Sequence, residues 1–142
     1  MKNFKCFIML MGLFSIFMAG CSGNGLENEG NKVIVQKRVG EEDNYAHFKE
    51  ITDEASVTKA KKILDSIRWE NAEVSMAYPP HYKFRLAEEN EQPELLYSLW
   101  ISPNKDKVEL VIEGKSKYAQ LSKKKSARLY KAITDENLSN AE

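Results

Sequence analysis

Cys21 is the residue whose position most clearly predicts a chemical reaction. It follows Ala19 and Gly20, the small residues that a signal peptidase needs before its cut. A basic start with Lys2 and Lys5, and a largely apolar run over residues 7–19, come before it. Met18 takes the place where Leu is usual in a bacterial lipobox. The pattern predicts that residues 1–20 form a removable lipoprotein signal peptide and that the sulfur of Cys21 carries a covalent lipid.

A plain transmembrane helix is the alternative interpretation of this N-terminus. Thirteen residues rise about 20 Å as a helix, which is less than the roughly 30 Å hydrocarbon core of a bilayer. An uncleaved anchor would need to extend to Phe4, with Lys5 reaching toward the headgroups. A thiol placed directly after Ala-Gly and followed by the polar stretch Ser22–Gly25 favours cleavage. We therefore expect a lipid-anchored protein on the outer face of the cytoplasmic membrane.

Length, cysteine count and charge narrow the possible classes. Removing residues 1–20 from the 142-residue chain leaves 122 residues, which suit one domain. Cys6 lies in the signal, so Cys21 has no partner for an intramolecular disulfide. Loss of Lys2 and Lys5 leaves 19 basic against 21 acidic residues, a net charge of about −2. Such a balance gives no strong electrostatic field that would attract nucleic acid, and we expect no nucleic-acid partner.

The charges are nevertheless distributed unevenly along the chain. Residues 24–54 are rich in Asp and Glu, whereas residues 115–131 are rich in Lys and Arg. The simpler interpretation is that both segments form solvated faces. The alternative is that the basic segment approaches an anionic surface, either wall polymer or lipid headgroups.

Composition divides the mature chain into a tether and a domain. Residues 21–31 contain mainly Gly, Asn, Glu and Ser and predict a lipidated flexible tether. Residues 32–142 predict one α+β domain, whose polar tail over residues 135–142 is expected to fray.

Two amphipathic helices are predicted within that domain. Thr52 or Asp53 can cap the first, and Ser122 can cap the second. Apolar residues follow each cap at helical spacing. They are Val57, Ala60, Ile63, Leu64 and Ile67 in the first helix, and Ala127, Leu129, Tyr130 and Ile133 in the second.

Strands are predicted where β-branched residues cluster or where apolar residues alternate with polar ones. Tyr45, Phe48 and Ile51 are isolated apolar residues in a connection that forms at most a short strand. Alternation at Val74, Met76 and Tyr78 is ended by Pro79-Pro80. Short turns between the later strands predict antiparallel neighbours. The expected fold is an antiparallel sheet of about five strands with two helices on one face, in the order β-α-β-β-β-β-α. The predicted strands cover residues 33–39, 82–86, 95–102, 108–112 and 117–121.

Four short aromatic-rich stretches carry a family resemblance, which covers about residues 32–134 together with the lipobox. Through them the chain resembles the YhfM-like small lipoproteins of Bacillus-type Gram-positive bacteria. The resemblance implies a membrane-tethered extracytoplasmic domain, and it implies no enzyme activity, cofactor or catalytic residue. The stretches are Ile67-Arg68-Trp69-Glu70, Tyr78-Pro79-Pro80-His81-Tyr82-Lys83-Phe84, Tyr97-Ser98-Leu99-Trp100-Ile101-Ser102 and Tyr118-Ala119-Gln120-Leu121-Ser122.

Residues that commonly perform catalysis are sparse. His47 and His81 are the two histidines, and we expect them in different loops with no cysteine or carboxylate at ligand spacing, so no metal site is predicted. The glycine patterns of serine hydrolases, dinucleotide-binding folds and P-loops are missing. The 21 acidic residues leave open a carboxylate pair for glycoside hydrolysis. We expect no enzyme activity and no cofactor other than the covalent lipid on Cys21.

The sheet face that points away from the helices is the candidate binding face. If Tyr82, Phe84 and Leu99 face the core, then Lys83, Arg85 and Trp100 face outward. Trp and Arg are typical of interaction hot spots, and this trio could hold a sugar or a peptide carboxylate. Substitution of Trp100 by Ala is then expected to abolish partner capture and to leave the fold intact. The alternative is a wet face on which a loop, either residues 78–80 or residues 88–93, covers Trp100.

These observations predict a non-catalytic binding or interaction module held at the membrane by its lipid. Its partner is expected in the cell envelope, either a protein or a wall polymer. A small cell-wall-active hydrolase that uses a carboxylate pair is the alternative function.

Overall fold

The computed structural model describes residue 26 and residues 28–88 and 95–142. Within these residues, seven antiparallel strands form one sheet in the order β2-β1-β4-β5-β6-β7-β3. The bounds are β1 Lys32–Arg38, β2 Tyr45–Ile51, α1 Glu54–Asp65, β3 Glu70–Asn71, β4 Tyr82–Ala87, β5 Tyr97–Ile101, β6 Val108–Ile112, β7 Lys117–Gln120, α2 Lys123–Thr134 and a short 3-10 helix Leu138–Asn140. The fold is α+β with two helices, as predicted, but the sheet has seven strands and not about five.

One face of the sheet forms the core together with the two helices. Alternate residues of each central strand point to the same face, so Phe84 on β4 lies beside Val35 on β1 and Tyr97 on β5. The aromatic rings of Phe84 and Tyr97 stack with centroids 5.0 Å apart. The buried sides of α1 and α2 cover this face, and the helices contact each other. The opposite face of the sheet, called the outer face below, therefore remains for other contacts.

Helix α1 confirms its predicted start. The carboxylate of Asp53 accepts a hydrogen bond from the Ser56 N–H at 2.9 Å, which satisfies one of the amide groups left unpaired at a helix N-terminus. The hydrogen bonds from Ser56 are the main cause of the lowered pKa of Asp53. The predicted apolar residues are buried, although the last of them, Ile67, lies beyond the helix end.

Helix α2 begins at its predicted cap and buries three of its four predicted apolar residues, and Ala127 is the exception. Ser122 caps it by accepting a hydrogen bond from the Lys125 N–H. Ala127 is exposed, whereas Ser126 is fully buried with Leu129, Tyr130 and Ile133. Positions 126, 129, 130 and 133 follow the i, i+3, i+4, i+7 spacing of one helix side, which position 127 does not share. The hydroxyl of Ser126 makes this burial possible, because it hydrogen-bonds to the backbone of Val108 and Leu121.

Two strands and one connection differ from the sequence-based expectation. The stretch over Tyr45–Ile51 is a full edge strand, β2, and the two-residue strand β3 extends the other edge beside β7. The alternation at Val74, Met76 and Tyr78 does not form a strand. Residues 74–80 instead lie over the outer face of the sheet, where Trp100 and Arg38 bind their carbonyl groups.

The ends of the described domain are more ordered than the composition predicts. Leu26 packs against the core, and Gly30 is buried with its Cα against the backbone of Ala87. Asn28 and Asn31 also hydrogen-bond to the domain, whereas residues 21–25 and 27 of the predicted tether, and the predicted signal peptide over residues 1–20, lie outside the described residues. At the other end, Leu138 and Ala141 are buried, so the tail packs on the core where fraying was expected.

Candidate binding site on the outer face of the sheet

The structure places Lys83, Arg85 and Trp100 on the outer face, as their alternation predicts. Lys83 lies opposite Ser98 on β5, and Arg85 lies opposite Ile34 on β1. The three side chains differ in exposure. Arg85 is exposed, the Lys83 side chain is 17% exposed, and Trp100 is buried. Lys83 and Trp100 line one cleft, whose lining does not include Arg85.

Trp100 is buried because residues 78–80 cover it, which is one of the two loops considered for that role. Its indole Nε1 donates a hydrogen bond to the Tyr78 carbonyl oxygen at 2.8 Å. The next two carbonyls along the chain are also bound by side chains of the outer face. Arg38 Nη1 donates to the Pro79 oxygen at 2.6 Å, and the Tyr45 hydroxyl donates to the Pro80 oxygen at 2.7 Å. Three successive carbonyls are thus held against the sheet by three side-chain donors, two of which come from β1 and β2.

His81, which directly follows residues 78–80, also binds to the sheet. Its backbone N–H donates to the Leu99 carbonyl at 2.9 Å, and its ring Nδ1 accepts a hydrogen bond from the Ile101 N–H at 3.0 Å. Burial lowers the pKa of His81, and the positive charge of Arg38 lowers it further. The neutral ring is the form that can accept the Ile101 bond, so His81 has a structural role here. His47, expected in a loop, lies on β2 and is exposed.

Lys83 is the centre of a charged cluster at one end of the cleft. Its Nζ lies 3.1 Å from Glu113 Oε1 and 3.6 Å from Asp43 Oδ1. The same Nζ lies 4.6 Å from the centroid of the Tyr45 ring, within the range of a cation–π contact. Ser98 Oγ donates to Glu113 Oε1 at 2.6 Å and so orients that carboxylate. Burial raises the pKa of the Tyr45 hydroxyl, and the nearby negative charge of Asp43 raises it further.

Among the described residues that line the cleft, two carboxylates surround the one ammonium group, whereas the guanidinium of Arg38 is bound to the Pro79 carbonyl in the wall and is not part of the lining. A peptide carboxylate would therefore have to displace Glu113 or Asp43 from Lys83. This arrangement argues against the anionic ligand that Lys83 and Arg85 suggested from sequence. It favours a ligand that offers a cation or several hydrogen-bond donors.

The cleft itself lies between residues 74–80 and the sheet and has a volume of about 460 Å³. Among the described residues, three large apolar side chains are exposed, and two of them, Val74 and Tyr78, line this cleft. The cleft thus combines an apolar wall with the charged cluster at Lys83. Its other lining residues are Asp43, Met76, Ala77, Pro79, Pro80, Lys83, Ser98, Trp100, Val111 and Glu113.

Several residues of this site were not predicted from the sequence. Glu113 continues the outward-facing series of Glu109 and Val111, so strand alternation is a signal that could have identified it. Asp43 and Tyr45 offered no such signal, because they reach Lys83 and Pro80 only through the pairing of β2 with β1 and of β1 with β4.

Comparison with known proteins identifies the family of the chain. The family model described as "YhfM protein" matches residues 26–139. The chain belongs to the YhfM family. The matched range contains every residue of the cleft and both helices. It also begins near Leu26, where the described part of this YhfM-family domain begins.

The structural comparison gives a likeness of fold. A solved structure described as a thioesterase-like protein from Clostridium sporogenes is similar to this YhfM-family chain with a TM-score of 0.52. The sequences are 15% identical, and the alignment covers 75% of this chain and 95% of the other. No curated protein matches the sequence.

Metal ligands do not cluster in the part of the chain that the structure describes. Its residues contain no group of three or more His, Cys, Asp or Glu side chains that could hold a metal ion. None of the helices in the same described ranges has the length and apolar character needed to cross a bilayer. Cys21, the predicted lipidation site, lies outside the described residues, as does most of the acidic loop after Glu88.

Proposed function

We propose that this YhfM-family protein is a non-catalytic binding module, anchored through lipid on Cys21 to the outer face of the cytoplasmic membrane, with the outer-face cleft as its ligand site. The observation that carries this proposal is the pair of exposed apolar side chains, Val74 and Tyr78, on a wall that is fixed to the sheet. Exposed apolar groups next to a concave surface are typical of binding sites. Because Trp100, Arg38 and Tyr45 already hold the wall, a ligand meets a largely preformed surface.

The charges of the cleft define the chemistry of the ligand. Among the lining residues Glu113 and Asp43 outnumber Lys83, and Val74, Tyr78 and Val111 provide apolar surface nearby. The ligand that fits is a segment of an envelope polypeptide or wall peptide that carries an amino group beside an apolar side chain. The amino group would approach Glu113, and the apolar side chain would lie against the exposed apolar wall.

A defined probe pair tests this ligand chemistry. We expect a short Leu-Lys peptide to quench the fluorescence of Trp100 in a Trp69→Phe background, whereas the matching Leu-Glu peptide does not. Glu113→Gln should weaken the response to the Lys peptide, because the variant lacks the carboxylate that the amino group of the peptide would approach. Equal responses to the two peptides, or an unchanged response in Glu113→Gln, would contradict the proposed site.

Capture of the partner in intact cells tests the location of the site. A photoreactive amino acid at Val74 is expected to yield a discrete crosslinked product. The same group at Thr58, exposed on α1 on the other side of the sheet, is the matched control. Identical products from both positions would indicate chance encounters and would count against the cleft.

The second candidate function is the small wall-active hydrolase, and one observation favours it. Asp43 Oδ1 and Glu113 Oε1 both lie near Lys83 Nζ, at 3.6 Å and 3.1 Å, so the two oxygens are no more than 6.7 Å apart. Carboxyl groups at roughly 5–9.5 Å serve in glycoside hydrolysis. However, both carboxylates pair with the ammonium group of Lys83, and a substrate would have to displace it to reach them. The likeness to a thioesterase-like protein is one of fold and transfers no catalytic residue.

Release of reducing ends from purified cell wall distinguishes the two functions. The binding module is expected to release none. Activity that disappears in both Asp43→Asn and Glu113→Gln would favour the hydrolase.

A further inference from the structure

Positive charge is concentrated on the two helices. Together α1 and α2 contain eight Lys and Arg residues and two carboxylates, Glu54 and Asp65, which gives a net charge of six positive. The whole chain has 21 basic and 21 acidic residues. The rest of the chain therefore has a net negative charge. The sequence alone identified only the basic segment over residues 115–131, which contains the first part of α2 and not α1. The basic residues are Lys59, Lys61, Lys62, Lys123, Lys124, Lys125, Arg128 and Lys131.

Part of this charge is available to an external partner. Within the described part of the chain, the side chains of Lys62, Lys124 and Arg128 are exposed and form no hydrogen bond or ion pair. By contrast, Lys123 pairs with Asp106 at 2.8 Å and Lys131 pairs with Asp135 at 3.0 Å. Because α1 and α2 lie side by side on one face of the sheet, their unpaired cations share one surface, which we call the basic helix layer.

Asn28, near the start of the described domain, lies beside this layer. Asn28 Nδ2 donates to Asp65 Oδ1 at the C-terminal end of α1, with a distance of 2.7 Å, and the same residue accepts a hydrogen bond from the Tyr97 hydroxyl. Seven residue steps separate Asn28 from Cys21, and a fully extended chain of that length spans at most roughly 25 Å. A lipid on Cys21 would thus hold the end of α1 within about that distance of the membrane surface.

We infer that the basic helix layer docks on the anionic lipid headgroups of the membrane to which the chain is anchored, an inference that rests on the proposed acylation of Cys21. Clustered Lys and Arg residues bind anionic lipid surfaces through their summed charge. The short link favours lipid over wall polymer as the partner, because it keeps the layer beside the bilayer. Docking also turns the outer-face cleft away from the membrane, since the cleft and the helices lie on opposite faces of the sheet.

Lysine acetylation in vesicles tests this inference. The full-length protein is purified from membranes in detergent and reconstituted into vesicles of phosphatidylglycerol or of phosphatidylcholine. Mass spectrometry then follows the reaction of Lys62 and Lys124 with acetic anhydride. Lys105 and Lys115, exposed in turns of the sheet, are the internal controls.

In phosphatidylglycerol vesicles we expect Lys62 and Lys124 to react at least about fivefold more slowly than in phosphatidylcholine, the factor that corresponds to ~1 kcal/mol per basic residue. Lys105 and Lys115 should change much less. Salt at 1 M should remove the protection, because it shortens the screening length to about 3 Å.

Charge-reversal variants provide a matched comparison. Lys62→Glu combined with Arg128→Glu should abolish protection of Lys124. Lys105→Glu combined with Lys115→Glu changes the net charge by the same amount and should leave that protection intact. Circular dichroism verifies that both variants are folded.

Two results would overturn the inference. The first is equal reaction rates of the helix and turn lysines in phosphatidylglycerol. The second is protection that appears only when wall polymer is added, which would identify the polymer as the partner. Flotation with the vesicles reports separately on the anchor, and peptide binding at Trp100 reports on the cleft. Failure of docking is therefore distinguishable from failure of the proposed function.

Discussion

The indole nitrogen of Trp100 donates a hydrogen bond to the carbonyl oxygen of Tyr78 at 2.8 Å, so a residue suggested from sequence as a contact for a partner is already bound to its own chain. This bond changes what Trp100 can contribute to binding. It supports the wall of the cleft, and Tyr78 and Val74 present their side chains to a ligand from that wall.

Substitutions at Trp100 should therefore affect stability as well as binding. Trp100→Ala removes a large buried side chain and is expected to lower the free energy of unfolding by about 3–5 kcal/mol. Trp100→Phe keeps most of the apolar contact and loses the bond to Tyr78, at a cost of about 1 kcal/mol. Urea unfolding measures both values. Equal stability of Trp100→Ala and the wild type would restore the simpler view that Trp100 is a dispensable surface residue.

Gly30 is expected to be intolerant of any side chain. It has φ of +136°, and a Cβ placed on it would lie 2.7 Å from the Ala87 nitrogen. Gly30→Ala combines a strained backbone with a steric clash and should cost roughly 3 kcal/mol of folding free energy.

Gly40 is the matched control for that prediction. It has φ of +77°, but no atom lies within 4 Å of the place that a Cβ would take, so Gly40→Ala should cost only the conformational strain, about 1–2 kcal/mol. Thermal or urea unfolding compares the two variants. A cost at Gly40 as large as that at Gly30 would show that contact with Ala87 is unimportant.

The helices were predictable because their signals are local. Asp53 and Ser122 have side chains that cap the residues immediately after them, and a spacing of three to four residues marks each buried side. Strand β2 was not predictable in the same way. A bulge opposite Val35 and Gln36 inserts Phe48 into the strand and breaks the alternation of apolar and polar residues.

The candidate site was only partly predictable, because its geometry depends on contacts between distant segments. Alternation along β4 and β5 was enough to place Lys83 and Trp100 on one face. The covering of Trp100 depends on Arg38 and Tyr45, which lie 41 and 35 residues before the carbonyls they bind. Such contacts follow from the strand order, in which β1 lies beside β4, and the sequence did not reveal that order.

Ser126 is expected to stabilise the sheet more than its small size suggests. Its hydroxyl oxygen accepts a hydrogen bond from the Val108 N–H at 2.9 Å and donates to the Leu121 carbonyl at 3.3 Å. Ser126→Ala leaves a buried N–H without a partner and should cost about 1–3 kcal/mol. Ser139→Ala, at an exposed position in the tail, is the control and should be nearly neutral. Similar unfolding midpoints for the two variants would contradict this role.

His81 should make the stability of the protein depend on pH in the mildly acidic range. Its pKa is lowered in the folded state, chiefly by burial and further by Arg38, whereas an unfolded histidine has a pKa of about 6.5. The unfolded chain therefore binds a proton at this position more readily than the folded chain does. The stabilising contribution is complete above about pH 6.5 and is lost as the pH falls below that value toward the lower pKa of the folded state.

His81→Asn tests this assignment, because the Asn side-chain oxygen can still accept the Ile101 N–H while the titrating group is removed. Urea unfolding at a series of pH values from about 7.5 down to about 5.5 brackets the pKa of an unfolded histidine. Over that range the wild type should lose more of its unfolding free energy than the variant does. His47→Asn, at an exposed position on β2, should retain the wild-type pH dependence. If both variants keep the same slope, the acid sensitivity arises from other groups, and the bond between His81 and Ile101 does not control it.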